Sequence, residues 1–224
     1  MKNLKNALLL KQLYQLQELG YKFIDNINID NSQEKKDNIL PNSIDKLNSI
    51  ISKCQLCQLS KNSKSPILSM GNPQSDIMFI GNKPTILDSN NSSIFSGNRG
   101  DMLRNIIQNV LELDDFYLTN IIRCYPPNGR EILANEVYSC KSYILKEIEI
   151  IKPKIIITLG EDTYSYLTNE DINFQDIEGT IIKYSNYYIM PIVDISTVLK
   201  NPSYKKKLYM NMLKLKEFIK INLL

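Results

Sequence analysis

The chain has 224 residues, a hydrophobic fraction of 43% and a net charge of +3. That length suits one domain of ordinary size with a sizeable core, and the mild charge permits nucleic-acid binding without arguing for it. No histidine is present, which rules out histidine general bases, histidine metal ligands and Ser–His–Asp triads. Neither a secretory leader nor an apolar run of about eighteen residues stands out, so a cytoplasmic protein without a membrane span is expected.

Leu8, Leu9, Leu13, Leu16 and Leu19 fall at helical spacing and predict a helix over 4–19, stopped by Gly20. Residues 1–22 are read as an N-terminal helical extension, 23–46 as a polar linker, and 47–224 as the main domain. Ser43–Ser52 is expected to form a short helix leading into the first cysteines. From Ser75 onward, strands and helices alternate. Asp76–Ile80 is a short apolar strand ending at Gly81, and Met102–Leu111 a helix. Phe116–Ile122 is a strand and Asn135–Ile150 a helix. Lys154–Leu159 is a strand, followed by Gly160 and a helix to about Leu167. Tyr188–Val193 is a fourth strand, and Ser203–Ile221 a closing helix with Leu208, Met212, Leu215 and Phe218 on its apolar side. This alternation predicts an α/β fold of three layers, α/β/α, with a mostly parallel central sheet.

All four cysteines enter one candidate constellation. Cys54-Gln-Leu-Cys57 is a C-x2-C pair, and Cys124 and Cys140 lie far along the chain, sixteen positions apart. In a reducing compartment such thiols are read as free groups or metal ligands before disulfides. Four thiolates suit a tetrahedral zinc or an iron–sulfur cubane. The wide second pair, one member after a strand and one inside a helix, suits a cluster pinning separate elements better than a zinc ribbon. Four ordinary buried thiols remain the bland alternative.

Several segments occur together in a recognisable order. They are Cys54-Gln-Leu-Cys57-Gln-Leu59, Gly81-Asn-Lys-Pro84, Phe95-Ser-Gly97-Asn-Arg-Gly100, and the block Tyr117-Leu-Thr-Asn120-Ile-Ile-Arg-Cys124-Tyr-Pro126-Pro127-Asn128-Gly-Arg130. Glu136 precedes Cys140 by four, and Pro153 leads through a strand to Leu159-Gly160. From about Leu47 to Phe218 this order resembles the family-4 uracil-DNA glycosylases. The resemblance implies a uracil-DNA glycosylase-like domain, a 4Fe–4S cluster on Cys54, Cys57, Cys124 and Cys140, and DNA as partner. It implies a base flipped into a pocket that includes Gly81 and Pro84, with Phe95 stacking on uracil and Asn120 reading its edge. The chemistry agrees: a flipped pyrimidine needs a flat apolar face, and one amide can accept from N3–H and donate to O4.

The chain departs from the family pattern at the reacting centre. The acidic residue of the first loop is Asn82, the glycine after Pro84 is Thr85, and Asp88 falls where a second carboxylate often stands. The late His-Pro pair is Asp194-Ile195, with Ser196 next. The expected catalytic set is therefore Asn82, Asp88, Asp194 and Ser196: the first two holding water and facing the sugar cation, the last two over the leaving group. An ionised Asp194 would repel the leaving base where a histidine would donate to it. The leading expectation is a repair glycosylase, an N-glycosyl hydrolase acting on deoxyuridine in DNA as a monomer, with weakened or altered chemistry. The alternative is an inactive iron–sulfur protein of the same superfamily that only binds DNA. Arg99, Arg104, Arg123 and Arg130, with Lys200 and Lys205–Lys207, are expected near DNA.

Overall fold

The computed structural model of the protein describes residues 40–222; the helix expected over 4–19 and the linker up to residue 39 lie outside them. The elements are α1 (Ile44–Ile51), α2 (Gln58–Asn62), β1 (Met70–Gly71), β2 (Ile77–Gly81), α3 (Ile86–Asn91), α4 (Gly97–Ile106), β3 (Tyr117–Asn120) and α5 (Ala134–Ile151). They continue with β4 (Ile155–Leu159), α6 (Glu161–Thr168), α7 (Phe174–Ile177), β5 (Ile182–Tyr184), β6 (Tyr187–Ile192), α8 (Ile195–Lys200) and α9 (Tyr204–Asn222). Helix α1 begins inside the stretch read as linker, because Ile44, Leu47 and Ile51 form one buried stripe. A π-helical turn, Ile107–Leu111, prolongs α4.

The strands form one sheet in the order β1-β3-β2-β4-β6-β5. The four inner strands run parallel, and β1 and β5 close the edges antiparallel. Every residue of β2 and β4 is buried, as parallel strands covered on both faces require. Alternate side chains divide the core. Ile77, Phe79, Ile155 and Ile157 pack with α4, α8 and α9, whereas Met78, Ile80 and Ile156 pack with α1, α5 and α6. This is the expected α/β/α sandwich.

The chain passes from β2 to β3 on one side, then returns across β2 to β4 on the other. The crevice outside the carboxyl ends of β2 and β4 is therefore the topological switch point, the place where open parallel sheets bind ligands. Backbone bonds extend the pairing past the strand ends. Ile121 N–H donates to Gly81 O at 2.8 Å, Ile122 N–H to Asn82 O at 2.9 Å, and Gly160 N–H to Ile192 O at 2.8 Å. The loops that rim the crevice are thus anchored rather than loose.

Candidate functional site

A cleft of about 1180 Å³ opens at that switch point, and Asn82, Pro84, Arg99, Asp162, Asp194 and Ser196 are among the residues lining it. Gly81 at the end of β2 pairs with Asn120 at the end of β3; these two and Phe95 are not among the residues lining the cleft, whereas Asn82, Pro84 and Arg99 next to them are. A Cβ on Gly81 would stand 2.3 Å from Asn120 Oδ1 and 2.8 Å from Phe95 Cζ. Glycine there lets ring and amide meet over the strand ends. Phe95 is 0% exposed and Asn120 1%, yet neither amide atom of Asn120 has a hydrogen-bond partner. Buried amides are nearly always paired, so an orphan beside an aromatic face is a place for a ligand with its own donor and acceptor.

The loop that delivers Phe95 is held in a costly conformation. Phe95 has φ of 52°, a left-handed backbone that disfavours a bulky residue. Its carbonyl lies directly on Gly100, where a Cβ would come within 1.5 Å of the oxygen. Arg104 Nη1 donates to the same oxygen at 3.3 Å. The two outer elements of the Phe95–Gly100 segment thus support each other: Gly100 gives the room and Phe95 uses it.

Asp88, expected to face the sugar cation, is engaged elsewhere. It is fully buried, and its Oδ2 accepts Thr85 N–H at 2.7 Å and Thr85 Oγ1 at 2.9 Å. Its Oδ1 accepts Ser96 N–H at 2.6 Å. With Thr85 Oγ1 accepting from Asp88 N–H this is a capping box at the start of α3. The Asp88 carboxylate ties the Pro84 loop to the Phe95 loop, so it shapes the slot from behind. The sequence carried the signal, a threonine three residues before an aspartate.

Asn82 and Asp194 do line the cleft. Asn82 Nδ2 donates to Asp162 Oδ2 at 3.1 Å, which orients the amide, and Asn82 Oδ1 is buried without a partner. Asp162 comes from the first turn of α6 and was not anticipated from the sequence; only its place just after Leu159-Gly160 hinted at the cleft. Asp194 caps α8, accepting Ser196 N–H at 2.7 Å, so the carboxylate at the histidine position has a local structural partner. Pro84 is buried at the cleft wall.

Most of the arginines expected at DNA are committed within the protein. Arg123 is buried in an ion pair with Glu147, whose carboxylate also accepts from Ser69 and Thr119, each at 2.9 Å. Arg130 grips Glu136 through two nitrogens at 3.0 and 2.6 Å, and Glu136 accepts Leu133 N–H at 2.9 Å. These pairs tie the segment after β3, which carries Cys124, to helix α5, which carries Cys140.

The four cysteines converge. Burial raises the Cys124 thiol to about 12, with Cys140, Cys57 and Cys54 each adding to the rise. Burial likewise pushes Cys140 up to about 11, opposed by the Arg123 backbone and side chain and reinforced by Cys54 and Cys57. Four close thiols, with Cys124 and Cys140 held back from ionising, suit a cationic metal centre that takes them as thiolates. Among the described residues, no three Cys, His, Asp or Glu side chains close around a single ion. A zinc ion bonds four thiolates at about 2.3 Å, and a cubane binds each thiolate through a different iron. The donor set fits a 4Fe–4S cluster.

Known proteins share this arrangement of segments. Residues 68–214 match the family described as the uracil DNA glycosylase superfamily. A type-4 uracil-DNA glycosylase of Saccharolobus solfataricus is 33% identical over 177 residues, 75% of this chain and 82% of that one. A type-4 uracil-DNA glycosylase of Sulfurisphaera tokodaii is 30% identical over 185 residues, 78% and 84% of the two chains. One from Thermotoga maritima is 27% identical over 156 residues, 68% and 81%.

Proposed function

The chain belongs to the uracil DNA glycosylase superfamily, and from that premise we propose that it hydrolyses the N-glycosidic bond of deoxyuridine in DNA with a rearranged set of reacting groups. One observation carries this reading: a buried amide with both atoms unpaired, Asn120, set beside the buried ring of Phe95 at the sheet's switch point. A binder of phosphates alone has no use for such a pair.

In this reading Phe95 stacks on the flipped base. Asn120 Oδ1 accepts from N3–H and Nδ2 donates to O4, an edge that cytosine cannot match. Asn82, its amide turned by Asp162, presents Oδ1 to the attacking water. The Asp162 carboxylate next to it takes the water's proton and faces the sugar's positive charge. Pro84 and Asp88 hold the wall of the slot. Ser196 lies at the cleft with Asp194 and supplies its hydroxyl to O2 of the leaving base. Cys54, Cys57, Cys124 and Cys140 hold the 4Fe–4S cluster, which when bound cross-links α1–α2, the end of β3 and α5. No described helix is long and apolar enough to cross a membrane.

A second reading, a DNA-binding relative without chemistry, is favoured by Asp194 in place of a donor and by the guanidinium of Arg99 lying on the Phe95 ring. The deciding experiment uses protein purified without oxygen and in excess over single-stranded DNA bearing one uracil. Alkali-labile sites that vanish in Asn120→Ala support the glycosylase. Uncut DNA after hours, with the cluster intact, selects the binder.

A further inference from the structure

Arg99 stands at a position the family pattern leaves open, yet it lines the cleft and lies on the Phe95 ring. Its Cζ lies 3.8 Å from the centroid of the Phe95 ring. A planar guanidinium stacked on an aromatic face takes the place that a stacked pyrimidine needs. Phe95 is also packed in the hydrophobic core on this side of the sheet. The Arg99 side chain is 9% exposed, and its Nη2 lies 3.9 Å from Asp88 Oδ2. Nε and Nη2 have no hydrogen-bond partner, and Nη1 reaches Lys83 O only at 3.4 Å. Burial disfavours its charge, while Asp194 and Asp88 favour it. A guanidinium in a structural ion pair normally satisfies its planar fork. This one is desolvated, poorly bonded and within the field of a cleft carboxylate.

The occupant is easily exchanged. Asn120 offers a donor and an acceptor beside Phe95, both unpaired, and a guanidinium, having only donors, could at most serve the amide oxygen and never Nδ2. A uracil edge carries both the donor and the acceptor that the amide lacks, on a flat ring. Asp194 lines the same cleft as Arg99; one of its oxygens accepts Ser196 N–H at 2.7 Å, and the second remains to receive a cation.

We propose that Arg99 is a positioning residue that closes the base slot in the free protein and is exchanged for the base, moving from Phe95 to Asp194, where its charge offsets the carboxylate facing the leaving group. This rests on the glycosylase reading. It gives Asp194 a role: a carboxylate that alone would repel the departing base becomes a holder for the cation displaced by that base's arrival. The slot then opens only to a ligand that outcompetes the guanidinium on both the ring and the amide.

The test is equilibrium dialysis of the cluster-containing protein against radiolabelled uracil, a probe without phosphates. Removing the competitor in Arg99→Ala and Arg99→Met is expected to tighten uracil binding roughly two- to thirtyfold, the range set by a cation–π contact. A merely structural arginine gives weaker binding when deleted, so the sign itself discriminates. Asp194→Asn is expected to weaken uracil binding in the wild-type background and to change nothing once Arg99 is alanine. Unchanged or weaker binding in both Arg99 variants overturns the proposal, as does an Asp194→Asn effect that persists without Arg99. Uracil uptake by none of the proteins overturns it too, because an emptied slot must take the base. Cleavage of uracil-containing DNA by the wild-type protein is measured separately and bears on the glycosylase reading alone.

Discussion

Replacing Asn120 with leucine is expected to make the protein more stable while removing its selectivity. Both amide atoms are buried and unpaired, in a residue 1% exposed. An unsatisfied buried polar group costs about 1–3 kcal/mol. Water entering the slot recovers part of this for the wild type, and leucine's different shape strains the contact with Gly81. A net gain of about 1–2 kcal/mol remains. For a domain of this size, about 2–4 °C accompany each kcal/mol, so the melting temperature should rise by roughly 2–8 °C. The assay is thermal unfolding without oxygen, followed by circular dichroism with the cluster absorbance intact, alongside base release. A melting temperature below that of the wild type would refute the argument, since it would mean that the amide is satisfied in the free protein and is part of the scaffold.

Other outcomes follow from the same contacts. Glu147→Ala strands buried Arg123 and should destabilise by about 3–5 kcal/mol in urea titrations; a loss under about 1 kcal/mol would show the pair to be hydrated. The Arg130 hydrogen bond holds Glu136 below the usual carboxylate range. Its contribution is therefore complete above the unfolded value, near 4.5, and disappears as pH falls through the lower folded value. Stability measured from pH 7 to pH 3 should fall less steeply in Glu136→Gln than in the wild type; equal slopes would remove Glu136 from the acid response. Oxidative removal of the cluster should lower the melting temperature and expose α1 and α2 to protease while the parallel core stays protected. Protease resistance identical to the intact protein would make the cysteine centre dispensable to the fold.

The parallel core was legible because buried strands and amphipathic helices write themselves as apolar runs and stripes. Ile155–Leu159 and the Leu208–Leu215 face are where the sequence puts them. The edge strands were not legible: β1 has two exposed residues, and β5 has three with no buried one, so neither carries an alternation. Gly81, Phe95 and Asn120 come together, since each belongs to a segment with a fixed backbone requirement. The structural part played by Asp88 was not legible because a carboxylate's surroundings depend on its hydrogen bonds, and here Thr85 and Ser96 take them. The Arg99–Phe95 stacking lies within a single connection but carries no sequence signal, and Asp162 was missed as a partner because its contact with Asn82 joins segments after different strands, 3.1 Å apart but eighty positions apart in sequence.

That last pair reframes the departure from the family pattern. An amide stands at position 82 where the family resemblance has an acid, and the first turn of α6 brings the Asp162 carboxylate to within 3.1 Å of it, which under the proposed reading supplies the acid from across the cleft. If the two act as a unit, their composition matters more than their order. Asp162→Asn leaves two amides and no base, and base release should fall by about 10²–10⁴-fold. Asn82→Asp sets two carboxylates against each other; they share a proton, which costs activity near neutral pH and makes the rate climb as pH rises. The double variant, Asn82→Asp with Asp162→Asn, restores one carboxylate and one amide in hydrogen-bond reach, and its single-turnover rate should return to within about tenfold of wild type. A swap no better than the worse single variant would show that the position of the carboxylate matters. Wild-type rates in Asp162→Asn would remove it from the chemistry and leave Asn82 to hold the water alone.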